Sequence, residues 1–262
     1  MGAGENKTVG AVVWLMLAIA ALGVGGATAG EIGGALERER EFRAAPPCRS
    51  VPVEASGCLW EQKYTVRSAD TNRMKRSEPP EAKLLLPSGE PWEVTFRDTG
   101  PVVSELEPGD EVVGIVWHGQ VVELRAEGLR QQTSAGPVNW GADRLGGALA
   151  CFSFGATALV GAVWALVARR NRRHRAAATV VRWHGVALAV VAIMALWAQA
   201  GNDWPMWSLP VIWGSFAVLL LASMTAFVIA ALRGDLTGAI ASAPRTPPPA
   251  KGPPGPAPRV HE

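Results

Sequence analysis

Four long apolar runs restrict the fold of this chain more than any other feature. They cover residues 9–29, 145–168, 183–200 and 208–232, and none contains Asp, Glu, Lys or Arg. As helices they would reach roughly 27–37 Å, against a bilayer hydrocarbon core of about 30 Å. A soluble protein of 262 residues would have too little polar surface to cover four such helices. The sequence therefore predicts an α-helical membrane protein with about four transmembrane helices.

A basic segment between the second and third runs predicts the orientation. Residues 169–182 contain no acid and six arginines: Arg169, Arg170, Arg172, Arg173, Arg175 and Arg182. Because Lys and Arg are enriched in cytoplasmic loops, we expect this segment to be a cytoplasmic loop in contact with anionic lipid headgroups. Residues 1–8 and 233–262 then share its side of the plasma (inner) membrane, and residues 30–143 are extracytoplasmic.

Tryptophans support the same orientation at the opposite membrane surface. The short connection 201–207 contains no Lys or Arg. In and near it lie Trp197, Trp204, Trp207 and Trp213. Amphipathic tryptophan rings prefer the headgroup level, so these four are predicted interface aromatics.

The first apolar run has two interpretations. Ala27-Thr28-Ala29 has the small-x-small form of a signal-peptidase site, and cleavage after Ala29 would leave three spans. The run is long for a signal peptide, and Glu5 offsets the single Lys7 before it. We favour an uncleaved anchor, and either interpretation leaves residues 30–143 outside.

Residues 30–143 have the periodicity of β-strands. Apolar residues alternate with polar ones in stretches centred on Tyr64, Val94, Ile115 and Val122, and residues 84–86 form a short apolar run, which makes five predicted strands. Turn signals occur at residues 87–89 and 118–119, and one helical turn fits within residues 101–107. Five strands with a helical turn after the third is the order of an OB-like barrel, and a generic small barrel or curled sheet fits equally well. We therefore expect an inserted small β-rich extracytoplasmic domain, either a five-stranded OB-like barrel or a related form.

The cysteines have different predicted roles. Cys48 and Cys58 lie in the segment assigned to an oxidising compartment, which favours a disulfide. A reactive or metal-binding pair is the alternative, but the spacing is not CxxC and no His lies nearby. Cys151 lies within the second span and is interpreted as a small packing residue.

Small residues recur at helical spacing in the second span. Gly147, Cys151 and Gly155 form one series, and Ser153, Thr157 and Gly161 form another. Such seams allow close helix contact, either with the other spans or with a second copy of the chain. The predicted partners are the lipid bilayer and either a membrane protein or a homo-oligomer.

The Pro-rich residues 244–258 are typical of a disordered tail, with docking to a polyproline-binding domain as the alternative.

No pattern of catalytic or cofactor-binding residues is found. The four histidines are scattered, and the chain has no P-loop, GxGxxG, HExxH or GxSxG motif. Residues 31–140 hold 13 Lys and Arg against 18 Asp and Glu, which opposes nucleic-acid binding. We therefore predict a protein that is not an enzyme, with no catalytic residue, metal ligand, cofactor or nucleic-acid partner.

Residues 108–113 (PGDEVV) and 117–124 (WHGQVVEL) lie between a signal-anchor-like helix and a helical remainder with a basic loop. In this layout the chain resembles uncharacterised integral membrane proteins of actinobacteria such as streptomycetes. The resemblance implies a membrane protein with an extracytoplasmic β-rich domain and carries no catalytic residues. The expected function is envelope-related binding or sensing, with an accessory subunit of a transporter or envelope enzyme as the alternative.

Overall fold

The computed structural model describes residues 5–52, 57–71, 78–168, 170–202 and 204–235. For residues 5–8 only the backbone is described. Arg169 and the Pro-rich tail after residue 235, both of which carried predictions, lie outside the described residues.

Four helices of the described chain are long and apolar enough to cross a membrane, as predicted. The helices of the described chain are α1 (Glu5–Gly30), α2 (Ile32–Ala44), α3 (Trp140–Val167), α4 (Arg172–Gly201) and α5 (Ser208–Arg233). The first of the four membrane-length helices includes both α1 and α2 and ends at Ala44. Helix α3 packs against α1 and α4, and α5 packs on α4. Among the described residues the helices therefore form an open row in the order α1, α3, α4, α5.

The predicted boundary between the basic loop and the third span differs from the structure. Residues 172–182 are not a loop but the first three turns of α4, so the connection from α3 is short. The side chain of Asn171 caps the helix by accepting a hydrogen bond from the Arg173 N–H at 3.0 Å. Arg and Ala are good helix formers, so a helix extends through charged residues at which an apolar-run criterion stops.

The predicted β-rich segment is also partly helical at both ends. Residues 32–44 form α2 and residues 140–143 begin α3, so the sheet domain proper is residues 46–139. Its strands are β1 (Trp60–Asp70), β2 (Glu81–Leu85), β3 (Pro91–Thr95), β4 (Glu111–Trp117), β5 (Gln120–Ala126) and β6 (Leu129–Gln132). They form one antiparallel sheet in the order β3-β2-β1-β4-β5-β6.

The expectation of a five-stranded barrel is corrected in two respects. The sheet has a sixth strand, and it does not close. Its edges meet only at an isolated bridge between Phe96 and Thr133, beside a hydrogen bond from the Ser134 N–H to the Thr95 carbonyl. The five predicted strands and the predicted turns are confirmed. His118 and Gly119 both have positive φ in a two-residue hairpin loop between β4 and β5.

The core of the sheet domain lies inside the curled sheet. Tyr64, Leu84, Phe96 and Leu124 are among its buried side chains. Residues 101–105 form the expected helical turn, which brings Val102 and Val103 into this core. The side-chain oxygen of Gln131 accepts hydrogen bonds from the N–H groups of both valines, at 3.1 and 2.9 Å. These bonds satisfy donors that would otherwise be buried without partners.

The predicted disulfide is confirmed. Cys48 and Cys58 are bonded, with their Cα atoms 5.1 Å apart. The segment before β1 is also held by hydrogen bonds from the Cys48 N–H to the Leu59 carbonyl at 2.8 Å and from the Leu59 N–H to the Pro46 carbonyl at 2.9 Å. The bridge therefore joins two cysteines separated by ten residues in sequence, beside these two hydrogen bonds.

Small residues of α3 lie at close contacts with α1 and α4. A Cβ added to Gly155 would lie 2.8 Å from Leu22 Cγ, and one added to Gly161 would lie 2.5 Å from Arg182 Cγ. Cys151 lies against Gly25 of α1. A Cβ added to Gly147 would meet nothing within 4 Å, so this glycine makes no close contact with another described helix, and its place in a contact with a second copy stays a prediction. Gly146, its neighbour, faces Leu196 of α4 instead.

Candidate functional site at the junction of helices and sheet

The junction site is the region where the sheet domain meets the helix row. Three parts of the chain come together there: α2, the start of α3 and the connection between α4 and α5. Trp140 follows directly on the last residues of the sheet domain. The order of elements brings these ends together, because α1, α3 and α4 run antiparallel to their neighbours in the row.

Arg97 fixes the sheet to the start of α3. Its guanidinium donates to the Gly136 carbonyl at 3.1 Å, the Val138 carbonyl at 3.3 Å and the Asp143 carboxylate at 3.0 Å. Burial lowers the pKa of Arg97, and the nearby carboxylates of Asp143 and Asp98 oppose that shift. The planar guanidinium group of Arg97 reaches all three acceptors together. It therefore fixes the direction in which the sheet meets α3 and also forms an ion pair with Asp143.

Trp140 lies between two arginines. The guanidinium carbon of Arg97 is 5.9 Å from the ring centroid, and that of Arg38 on α2 is 6.0 Å away. Both distances suit a cation–π contact. One tryptophan at the start of a membrane helix thus connects the sheet to α2. A second link joins α3 to the residue between α1 and α2, since Arg144 and Glu31 form an ion pair at 3.0 Å.

A separate apolar cluster attaches α2 to the outer face of the sheet. Phe42 meets the ring of Trp117 edge to face, with centroids 5.5 Å apart. Ile115 and Val122 are buried in the same cluster. The indole N–H of Trp117 donates to the Gly57 carbonyl at 3.2 Å. The sheet domain therefore has buried contacts on both faces, with its own core inside and α2 outside.

A cavity of about 520 Å³ lies between these elements. Leu36, Ala142 and Met206 give it apolar walls, while Glu39, Arg40 and Arg43 line its rim on α2. Glu39 and Arg43 form an ion pair one helical turn apart. Arg40 is exposed and has no ion-pair partner among the described residues. This volume is in the range of small-molecule sites, and its lining suits a ligand with both an apolar and an anionic part.

The wall formed by the α4–α5 connection is held by Gln199. Its side-chain amide donates to the Trp204 carbonyl at 2.6 Å, and its backbone carbonyl accepts from the Trp204 N–H at 3.1 Å. Gln199 is only 1% exposed. The side-chain oxygen of Gln199 is enclosed without a hydrogen-bond partner, so only the amino group of the buried amide is satisfied. Through that bond Gln199 positions Trp204 at the cavity.

The predicted interface tryptophans all lie at the sheet end of α4 and α5. Trp197 and Trp207 are 71% and 67% exposed, and Trp204 lines the cavity. Trp213 is half-buried, and its indole nitrogen is enclosed without a hydrogen-bond partner. The assignment of these rings to the headgroup level stays a prediction.

The predicted topology arginines lie at the opposite end of the row, far from the junction. Arg170 is in the connection before α4, while Arg172, Arg173 and Arg175 are in its first turn and a half. Arg182 lies deeper, between α4, α3 and α1.

In the described part of the chain, no three His, Cys, Asp or Glu side chains are grouped closely enough to hold a metal ion.

Sequence reasoning missed the residues of the junction site. Arg97, Trp140 and Arg38 are ordinary surface types when considered singly, and they meet only through tertiary contacts between segments 40 or more residues apart. The one available signal was Trp140 followed by Asp143 and Arg144 at the start of an apolar run.

Comparisons with models of protein families, with curated proteins and with solved structures gave no match.

Proposed function

We propose that this protein presents its sheet domain on the extracytoplasmic side of the plasma membrane for envelope-related binding or sensing. The observation that carries the proposal is the attachment of the sheet domain to the helix row. Arg97, the Phe42–Trp117 contact and the one-residue connection from α1 to α2 hold the domain in one orientation. A simple tether would need none of these contacts.

The junction cavity supports binding close to the membrane. Its walls come from the sheet-domain linker, from α2 and from the α4–α5 connection, so an occupant would touch all three. Binding there would favour one arrangement of the sheet domain relative to the helices, which is the requirement for sensing.

A second candidate function is that of an accessory subunit. The open helix row favours it, because α5 packs mainly on α4 and exposes Phe216, Leu219 and Phe227 on its surface. Such a surface suits either lipid or the helices of another membrane protein. The two candidates differ in whether a stoichiometric membrane partner is required.

The orientation can be tested with single cysteines in a Cys151→Ala background. Ser88→Cys lies in the exposed turn between β2 and β3, and Arg172→Cys lies at the arginine end of α4. A membrane-impermeant maleimide applied to intact cells is expected to label the first variant, and to label the second only after permeabilisation. The reverse pattern would overturn the extracytoplasmic assignment.

Function is tested with the full-length protein purified in mild detergent. We expect it to sediment with washed cell-wall polymer and to remain in solution when the polymer is left out. If the folded protein stays in solution with the polymer and purifies at fixed stoichiometry with another membrane protein, the accessory-subunit role replaces the first. Sedimentation without such a partner supports envelope binding.

A further inference from the structure

Arg182 lies within the helix row rather than at its edge. It is ten residues beyond the start of α4, which is about 15 Å along the axis. Its side chain crosses α3 at Gly161, where an added Cβ would lie 2.5 Å from Arg182 Cγ. The guanidinium carbon then lies 5.3 Å from the ring centroid of Trp14 on α1. A charged side chain of α4 therefore lies against two neighbouring apolar helices, α3 and α1.

The hydrogen bonds of Arg182 are incomplete. One terminal nitrogen donates to the Thr179 hydroxyl at 3.1 Å, while Nε is enclosed and has no partner. Arg175 has the same deficiency at its own Nε. Neither arginine forms an ion pair with a carboxylate among the described residues. Ionisable groups inside a membrane are costly and normally have a partner of opposite charge.

The two arginines share one face of α4. Positions 175, 179 and 182 are spaced as i, i+4 and i+7, and Thr179 donates its hydroxyl to the Arg175 carbonyl at 3.0 Å. Helical side chains lean toward the N-terminus, so Arg182 extends toward Arg175 and the arginine end of the row. A terminal nitrogen of Arg182 therefore lies at the Thr179 hydroxyl, one helical turn from Arg175 on the same face of α4.

The missing partner must be an anion that can enter between apolar helices. A phosphate accepts the planar fork of a guanidinium in two places, which suits both arginines. A phosphate joined to acyl chains would also place hydrocarbon against Trp14 and the small-residue surface of α3. We propose that Arg175 and Arg182 bind the phosphate of an anionic phospholipid in the leaflet at the arginine end.

The test uses the full-length protein in detergent, with lipid retention measured by native mass spectrometry. Phosphatidylglycerol is the probe, phosphatidylcholine is the zwitterionic comparison, and inorganic phosphate is the competitor. We expect phosphatidylglycerol to bind at least about tenfold more tightly than phosphatidylcholine, without competition from inorganic phosphate. Arg175→Gln with Arg182→Gln should lower the affinity for phosphatidylglycerol about tenfold or more.

The matched control is Arg173→Gln with Arg233→Gln. These two exposed arginines lie at the same end of the row, and Arg173 is on the opposite face of α4. An equal loss of affinity in both double variants would show diffuse charge attraction and overturn the site. Competition by inorganic phosphate would overturn the lipid assignment. If the first double variant fails to fold, Arg182→Lys decides, since it keeps the charge and should still weaken binding by removing the fork.

Discussion

The sheet domain and the helix row place large and small apolar side chains in opposite ways. In the sheet domain the buried residues are large, such as Phe96, Leu84 and Leu124, and the strands expose polar side chains. In the helices the buried residues are mostly Ala and Gly, including Ala158, Ala162 and Ala192. Their large apolar side chains, such as Val218 and Leu219, point outward.

The difference reflects the solvent that each region is built to meet. Water drives large apolar side chains inward, so the sheet domain gains stability from the area it buries. Lipid chains are as apolar as leucine, so helices in a membrane gain little by hiding large side chains and more by close backbone contact. A substitution that enlarges a close helix contact should therefore lower the stability of the helices. The stability of the sheet domain should instead depend on its disulfide and on keeping its buried groups uncharged.

The largest expected effect comes from enlarging a close helix contact. In Gly155→Val the new side chain would meet Leu22 and the Ala18 carbonyl, and a backbone carbonyl cannot move aside. We expect a loss of about 3 kcal/mol or more in the free energy of unfolding, at or beyond the upper end of typical overpacking costs. Steric trapping or detergent unfolding measures it. Gly147→Val is the matched control, since that position has open space, and equal losses in both variants would contradict the packing argument.

The next effect concerns the sheet domain alone. Replacing both Cys48 and Cys58 by Ser should lower the stability of the sheet domain by roughly 2–3 kcal/mol, because the reduced chain regains the entropy of an open loop. Proteolysis between residues 45 and 60 should become faster, while the melting of the helices stays unchanged. A matching loss of helix stability would instead show that the two regions unfold as one unit.

The smallest effect is a pH dependence confined to the sheet core. Burial raises the pKa of Tyr64 to about 12, and its side chain is only 2% exposed. Because the folded pKa is above the unfolded value near 10, the neutral phenol stabilises the fold fully below about pH 10, and this contribution is lost as the pH rises toward 12. At about pH 11 the loss should be about 1.4 kcal/mol.

The alkaline transition can be followed without ambiguity. The chain contains one tyrosine, so phenolate absorbance reports Tyr64 alone. Tyr64→Phe should remove this component from the pH dependence of stability while preserving the packing against Trp92. A phenol that titrates near pH 10 in the folded protein would show that the sheet core is open to water.

Much of the fold could be predicted because its signals are local. The apolar runs, the alternating strands and the turn at His118-Gly119 depend on residues close in sequence. Two elements were missed for identifiable reasons. Strand β6, with the sequence LRQQ, has no apolar alternation and is fixed by the hairpin through Glu127 and Gly128, both at positive φ. Helix α2 is rich in charge and follows α1 after a single residue.

The sequence by itself determined the number of membrane-length helices, the β character of the inserted segment and its disulfide. Each depends on side-chain type and spacing within one segment, and water or lipid imposes the same periodicity whatever the tertiary arrangement. Only the tertiary structure decided that the sheet stays open, that Arg97 and Trp140 meet at the junction, and that Arg182 lies between three helices. Those outcomes depend on contacts between distant segments, whose distances and hydrogen-bond geometry no local pattern encodes.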